Sequence, residues 1–248
     1  MHIERQKRTF SRNGSSTAIS PETPHGAPHY RIRRFPFPRP LSLCDAAHWE
    51  GVDEIRVENF RPESSDHRPR TVVRVQYTPD AVHGLFSVND RHVRCLDRGF
   101  GGEVWKDSCV EFFVQPRADR GYFNFEFNCG GSMLCSYITN PERVAGGFRE
   151  FVKLPREEYP RISVFHSMPA VVEPEIAGAV DWRLGFSIPL SLLESYAGPL
   201  GDIAGQTWRA NFYKCGDETS HPHWASWVPV DTLNFHLPRC FGAITFER

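Results

Sequence analysis

The stretch Tyr122–Asn128, YFNFEFN, constrains the fold more than any other part of the chain. Phe123, Phe125 and Phe127 alternate with Asn124, Glu126 and Asn128, and a period of two belongs to a β-strand with one apolar and one polar face. The same period recurs along the chain. In Thr71–Thr78, Val73, Val75 and Tyr77 oppose Arg74 and Gln76; in Leu85–Asp90, Phe86 and Val88 oppose Ser87 and Asn89. Ser108–Val114 sets Val110, Phe112 and Val114 against Glu111, and Trp208–Cys215 sets Trp208, Ala210 and Phe212 against Arg209, Asn211 and Tyr213. Asp181–Ile188 and Phe241–Phe246 read as further strands, with a short helix over Pro189–Ser195.

Short strands punctuated by 19 Gly and 20 Pro, with no long helical pattern between them, argue against a parallel α/β fold. They predict an all-β chain: a two-sheet antiparallel β-sandwich, jelly-roll-like, with one or two short helices. Residues 1–28 are polar and aperiodic, which predicts a flexible tail before a single domain over 29–248.

Charge and composition narrow the function. The formal net charge is -1 and Lys and Arg gather into no stripe, so a nucleic-acid surface is not expected. No apolar run approaches membrane-spanning length. The N-terminus, MHIERQKRTFSRNGSS, has no apolar signal core, which as written predicts a cytoplasmic chain; a start codon assigned elsewhere would open an extracellular or periplasmic location. Seven cysteines without a C-x-x-C pair read as buried free thiols, not as a disulfide framework or a four-cysteine zinc site.

Two stretches carry a resemblance. Val104–Val114, VWKDSCVEFFV, has a tryptophan, then an acidic and a small residue, then V-E-x-F on a strand. Ser226–Phe246, SWVPVDTLNFHLPRCFGAITF, has S-W, a loop carrying an aromatic residue, then F-G and a closing strand. Together with Phe125–Asn128 and Ala210–Asp217 between them, they resemble, in order, carbohydrate-binding modules of family 9, whose jelly-roll-like sandwich is related to DOMON domains. The resemblance runs from about Tyr30 to Arg248. It implies non-catalytic binding of a plant-type polysaccharide or oligosaccharide, such as a xylan or cellulose chain end, in carbohydrate catabolism.

In that family two aromatic rings sandwich a terminal sugar while polar side chains bond its hydroxyls. By motif, Trp105 takes the first ring position, and Phe235 takes the second, where relatives can carry tryptophan. Glu111 matches the strand glutamate, and Glu126 stands where a basic residue can occur. The alternation adds Asn124, Asn128, Arg209 and Asn211 as outward polar candidates. Lys214 joins them only if its strand ends or bulges near Tyr213, and Trp224 in HPHWASW offers a further stacking surface. Flat apolar rings with a few convergent polar groups suit a pyranose, which has C–H faces and a hydroxyl rim. The bland alternatives are that Trp105 plugs the sandwich, that Phe235 anchors a loop, and that Glu111 and Glu126 pair with Arg209 or Lys214.

Other chemistries stay open at this point. Glu111 and Glu126, with Asp107 or Asp217 nearby, would supply the two carboxylates of a glycoside hydrolase. His221 and His223, with Cys215, His236 and Cys240, are candidate metal ligands, though their spacing matches no standard site. Met133, Met168 and His166 would be the axial candidates for haem, as in cytochrome-type DOMON relatives. No cofactor is expected beyond a structural calcium ion, whose ligands the sequence does not single out. The expected partner is a saccharide, with a glycoside hydrolase as a further partner of an otherwise monomeric chain.

Overall fold

The computed structural model describes residues 28–36 and 42–248; the tail expected over 1–28 lies outside the described residues apart from Pro28. Sixteen strands form among the described residues. In the first half they are β1 (His29–Arg34), β2 (Ile55–Val57), β3 (Asn59–Phe60), β4 (Arg70–Tyr77), β5 (Ala81–Asp90), β6 (Val93–Cys95), β7 (Cys109–Gln115) and β8 (Tyr122–Asn128). In the second half they are β9 (Met133–Val144), β10 (Gly147–Lys153), β11 (Ser163–His166), β12 (Val172–Ile176), β13 (Val180–Pro189), β14 (Thr207–Cys215), β15 (Trp224–Ser226) and β16 (Gly242–Phe246). The expected short helix is Leu190–Ala197.

Two sheets face one another. One runs β10-β9-β8-β7-β14-β16 and the other β4-β5-β13-β11, with β1 joining them. The first four residues of β1 pair with β16 and its last two pair with β4, both in parallel. The expected sandwich is therefore antiparallel except at this one strand. A strand that changes sheet closes one edge of the sandwich, where open N–H and C=O groups would otherwise invite association. A separate ribbon, β6 with β12, lies outside both sheets.

The alternation read from sequence fills the interior. Val110, Phe112, Phe123, Phe125, Phe127 and Phe212 from one sheet meet Val73, Val75, Phe86, Trp182 and Phe186 from the other. Phe112 and Phe186 stack across the gap at 5.3 Å and 14°. The Phe186 ring lies so close over Gly84 that a Cβ there would sit 2.3 Å from it, so any side chain at this strand position would have to displace that buried ring. Each such ring removes a large apolar area from water, about 2–3 kcal/mol per side chain. The interior thereby fixes which strand faces turn outward. Candidate site residues lie on that outer face.

Candidate functional site

Strand register builds the floor of a cleft on the outer face of the first sheet. Tyr213 pairs with Glu111, Glu111 with Glu126, and Glu126 with Leu134, giving one row across β14, β7, β8 and β9. The next row is Asn211, Phe113, Asn124 and Ser136. Contrary to the alternating pattern's usual meaning, these polar residues are not solvated: Glu111, Asn124 and Glu126 are 3%, 1% and 4% exposed. The reason is cover. The β9–β10 hairpin and the loops after β14 and β15 fold over the sheet and leave a cleft of about 470 Å³.

Aromatic rings form the cleft walls. Trp105 sits in the 3-10 turn Val104–Lys106, just before β7, and its carbonyl accepts from Asp217 N–H at 3.1 Å. Trp224, at the start of β15 and not in a loop as its sequence context suggested, donates through Nε1 to Asp217 at 2.8 Å. Phe235 stacks one face on Tyr213 at 4.1 Å and 14°, and the Tyr213 hydroxyl donates to the Phe235 carbonyl. Phe235 thus both anchors its loop and lines the cleft. Trp105, Trp224 and Phe235 are each half-buried and pack on the cluster of Val104, Cys109, Leu134 and Cys215. Phe148 and Phe151 of β10 complete the opposite wall, with the Arg143 guanidinium 4.1 Å over the Phe148 ring.

Charge inside the cleft is poised toward neutrality. Asn124 donates to Glu126 Oε1 at 2.7 Å and accepts from Ser136 N–H at 2.7 Å, so it orients the carboxyl from below. Burial pushes Glu126 up to about 7, against the opposing pull of Asn124 and Arg143. Burial, with the negative charge of neighbouring Glu126 adding to it, holds Glu111 well above the ordinary carboxylate range. The Cys215 thiol donates to Glu111 Oε1 at 3.2 Å, while Oε2 is buried with no partner among the described residues. His236, kept neutral by burial and the Arg143 charge, meets the Tyr122 hydroxyl at 3.0 Å. The flanking rings can take the apolar faces of a polyhydroxylated ligand, and the lining Asn234, Asp217 and Lys153 can bond its hydroxyls.

Six of the ten residues proposed from sequence therefore meet in one place: Trp105, Glu111, Asn124, Glu126, Trp224 and Phe235 all line the cleft. Four do not. Asn128 donates to the Leu96 carbonyl and to Asp107, both at 2.9 Å, and closes the end of the sheet with the Arg98–Asp107 pair. Arg209 reaches the Phe241 carbonyl at 3.2 Å. Asn211 donates to the carbonyls of Val228 and Cys240 at 3.0 and 3.1 Å, pinning two loops to β14. β14 neither ends nor bulges at Tyr213, so nothing turns Lys214 outward. It points into the interior, fully buried, 3.4 Å from Asp90 and 2.7 Å from His223 Nε2. Neither Arg209 nor Lys214 partners the glutamates; Arg143 is the cation that acts on Glu126.

Sequence reasoning missed the hairpin wall. Its signal was present in Val144-Ala145-Gly146-Gly147, where both glycines take positive φ (93° and 141°) at the turn. The flanking residues do not alternate cleanly, because the register shifts between Phe148 and Phe151. The five-residue metal set does not converge either. His236 faces Tyr122 in the cleft, Cys240 packs near Phe241, and His223 lies beneath with Lys214. The haem candidates Met133 and Met168 pack on the main core, and His166 Nδ1 lies 2.7 Å from the Met168 carbonyl. All seven cysteines are free, and five are buried.

Comparisons with known proteins fit this geometry. A crystal structure of a candidate carbohydrate-binding protein from Bacteroides uniformis superposes with TM-score 0.79 and 27% identity, covering 89% of this chain and 100% of that one. A family 9 carbohydrate-binding module from Caldicellulosiruptor kristjanssonii in complex with cellotriose gives TM-score 0.58 and 13% identity, covering 89% and 94%. The glucose complex of a family 9 module from the same organism gives 0.57 and 12%, covering 89% and 96%. No curated protein matches at a significant level. The family's sequence description matches residues 43–246, which contain every cleft residue named above. This chain belongs to carbohydrate-binding family 9.

Proposed function

We propose that the cleft binds a saccharide without cleaving it, with Trp105, Trp224 and Phe235 against the sugar's C–H faces and Glu111 accepting from or donating to its hydroxyls. The observation that carries the reading is the convergence of three half-buried rings, Trp105, Trp224 and Phe235, on the Glu111 and Glu126 row in one cleft of about 470 Å³. Burying ~100 Å² of sugar carbon on the rings adds about 2–3 kcal/mol. With several hydrogen bonds of about 1 kcal/mol each, affinity reaches the micromolar range. The matched modules solved with cellotriose and with glucose support a glucose-based chain end as the first ligand class to try. Work beside a glycoside hydrolase in carbohydrate catabolism follows from the same family reading.

Hydrolysis is the second reading, favoured by two neighbouring glutamates that burial holds toward the protonated form. Glycosidase carboxyl groups flank the scissile bond. Glu111 and Glu126 instead stand side by side on one sheet face, as direct cross-strand partners, which places both on the same side of any ligand. A glycan array probed with wild type and Trp105→Ala in parallel tests binding: glucose- or xylose-based oligosaccharides are retained by the former and lost by the latter. Equal signals from both, or none from wild type, would remove the cleft from consideration. Release of aryl alcohol from an aryl glycoside, abolished by Glu111→Gln, would establish the catalytic alternative.

A further inference from the structure

On the far side of the loop that follows β14, a second group of side chains has no part in the cleft. His92, at the turn into β6, Glu175 of β12 and His221 bring one imidazole, one carboxylate and one imidazole donor within 4.8 Å of one another. His92 Nδ1 and Glu175 Oε1 are 3.6 Å apart, and the two imidazole rings stack at 3.6 Å and 22°. Two ligands held by a tetrahedral zinc ion at 2.0–2.1 Å are about 3.3 Å apart, so the His92–Glu175 pair needs only a small contraction, while the stacked rings must splay for both imidazoles to aim at one ion. The Ser220 hydroxyl marks the common focus: it lies 2.8 Å from His221 Nδ1 and 3.3 Å from His92 Nδ1 and bonds Glu175 as well. His92 also carries a positive φ of 56°, uncommon for a residue with a Cβ.

We propose that His92, Glu175 and His221 bind a divalent transition cation of the zinc class, with Ser220 or a water molecule in the fourth position. Two imidazoles and one carboxylate form a borderline donor set suited to zinc and poor for calcium, which prefers six or more oxygens. The site has a supporting layer: His67 packs edge-on to His92 at 5.4 Å and is itself held by Asp90 at 2.7 Å. Its place in the fold gives it a consequence. Glu175 belongs to β12 and His92 to the turn that leads into its partner β6, whereas Ser220 and His221 belong to the loop that also carries Asp217. A bound cation ties that loop to the ribbon, and with it the segment between Asp217 and Trp224.

Zinc titration of the chelator-treated, tag-free full chain tests the site, with calorimetry as the readout and Co²⁺ as a spectroscopic probe. One Zn²⁺ per chain is expected, with a rise in Tm on binding. Affinity falls at least ~10-fold in His221→Gln and in Glu175→Gln, while the circular dichroism of both stays that of wild type. The Co²⁺ complex shows ligand-field bands without a thiolate charge-transfer band. Absence of stoichiometric Zn²⁺ binding, or binding unchanged in both variants, overturns the proposal. So does a thiolate charge-transfer band that disappears in Cys215→Ser, which would move the ion to the buried Cys109, Glu111 and Cys215 group.

Discussion

A carboxyl group buried on a sheet face is costly unless each oxygen finds a donor or the group keeps its proton. Glu126 illustrates the second solution. Its folded form holds the proton up to about 7, whereas the unfolded chain releases it near 4.5. Between those values the native state binds the proton and the unfolded state does not, so stability from this group is fully present below about 4.5 and is lost as pH rises through about 7. Urea midpoints measured on either side of that window are expected to fall less with rising pH in Glu126→Gln than in wild type. Lys214 illustrates pairing. Both Lys214 and Asp90 are fully buried, and Lys214, together with the hydrogen bonds from His67 and Trp182, outweighs burial to keep Asp90 ionised well below its ordinary range. Lys214→Met leaves the Asp90 charge without its main partner and is expected to cost about 3–5 kcal/mol in denaturant unfolding. An unchanged midpoint would mean that the pair contributes nothing.

At the scale of elements, the outer face of β14 serves as a bracket for the loops that wall the cleft. Asn211 alone accepts from Val228 N–H and donates to the carbonyls of Val228 and Cys240. Asn211→Ala removes all three bonds and is expected to lower stability by about 1–3 kcal/mol and to weaken oligosaccharide binding, since the loop carrying Phe235 loses an anchor. Calorimetric titration beside a urea melt measures both. This bracket explains how far the site could be read beforehand. Trp105 and Phe235 were legible because short motifs place them, and Glu111, Asn124 and Glu126 because alternation fixes their face. Alternation says which way a side chain points, not what covers it. Asn211 and Arg209 point the expected way and meet loop carbonyls where open solvent was expected. Arg143, Phe148 and Phe151 stayed hidden because their partners come from a hairpin with shifted register.

At the scale of the molecule, an aromatic interior shared by two sheets sets one rigid outer surface, and loops from distant parts of the sequence converge on it. Seven of the sixteen strands follow segments read from sequence, and Tyr122–Asn128 forms β8 with the boundaries its pattern predicts; the β9–β10 hairpin and β1, which crosses between the sheets in parallel, do not. The two-sheet role of β1 depends on neighbours at opposite ends of the chain, β16 and β4, and no local pattern records that. A binding site on such a frame needs little reorganisation when a ligand arrives, which favours affinity from a few rings and bonds. Isothermal titration of cello-oligosaccharide into wild type, Trp105→Ala and Arg209→Ala tests the account most directly. Binding by wild type, at least ~10-fold weaker binding by Trp105→Ala and a smaller loss in Arg209→Ala, which only props the end of the Phe235 loop, is the predicted pattern. Loss on replacing Arg209 with no change on replacing Trp105 would place any saccharide elsewhere on the molecule and contradict the cleft.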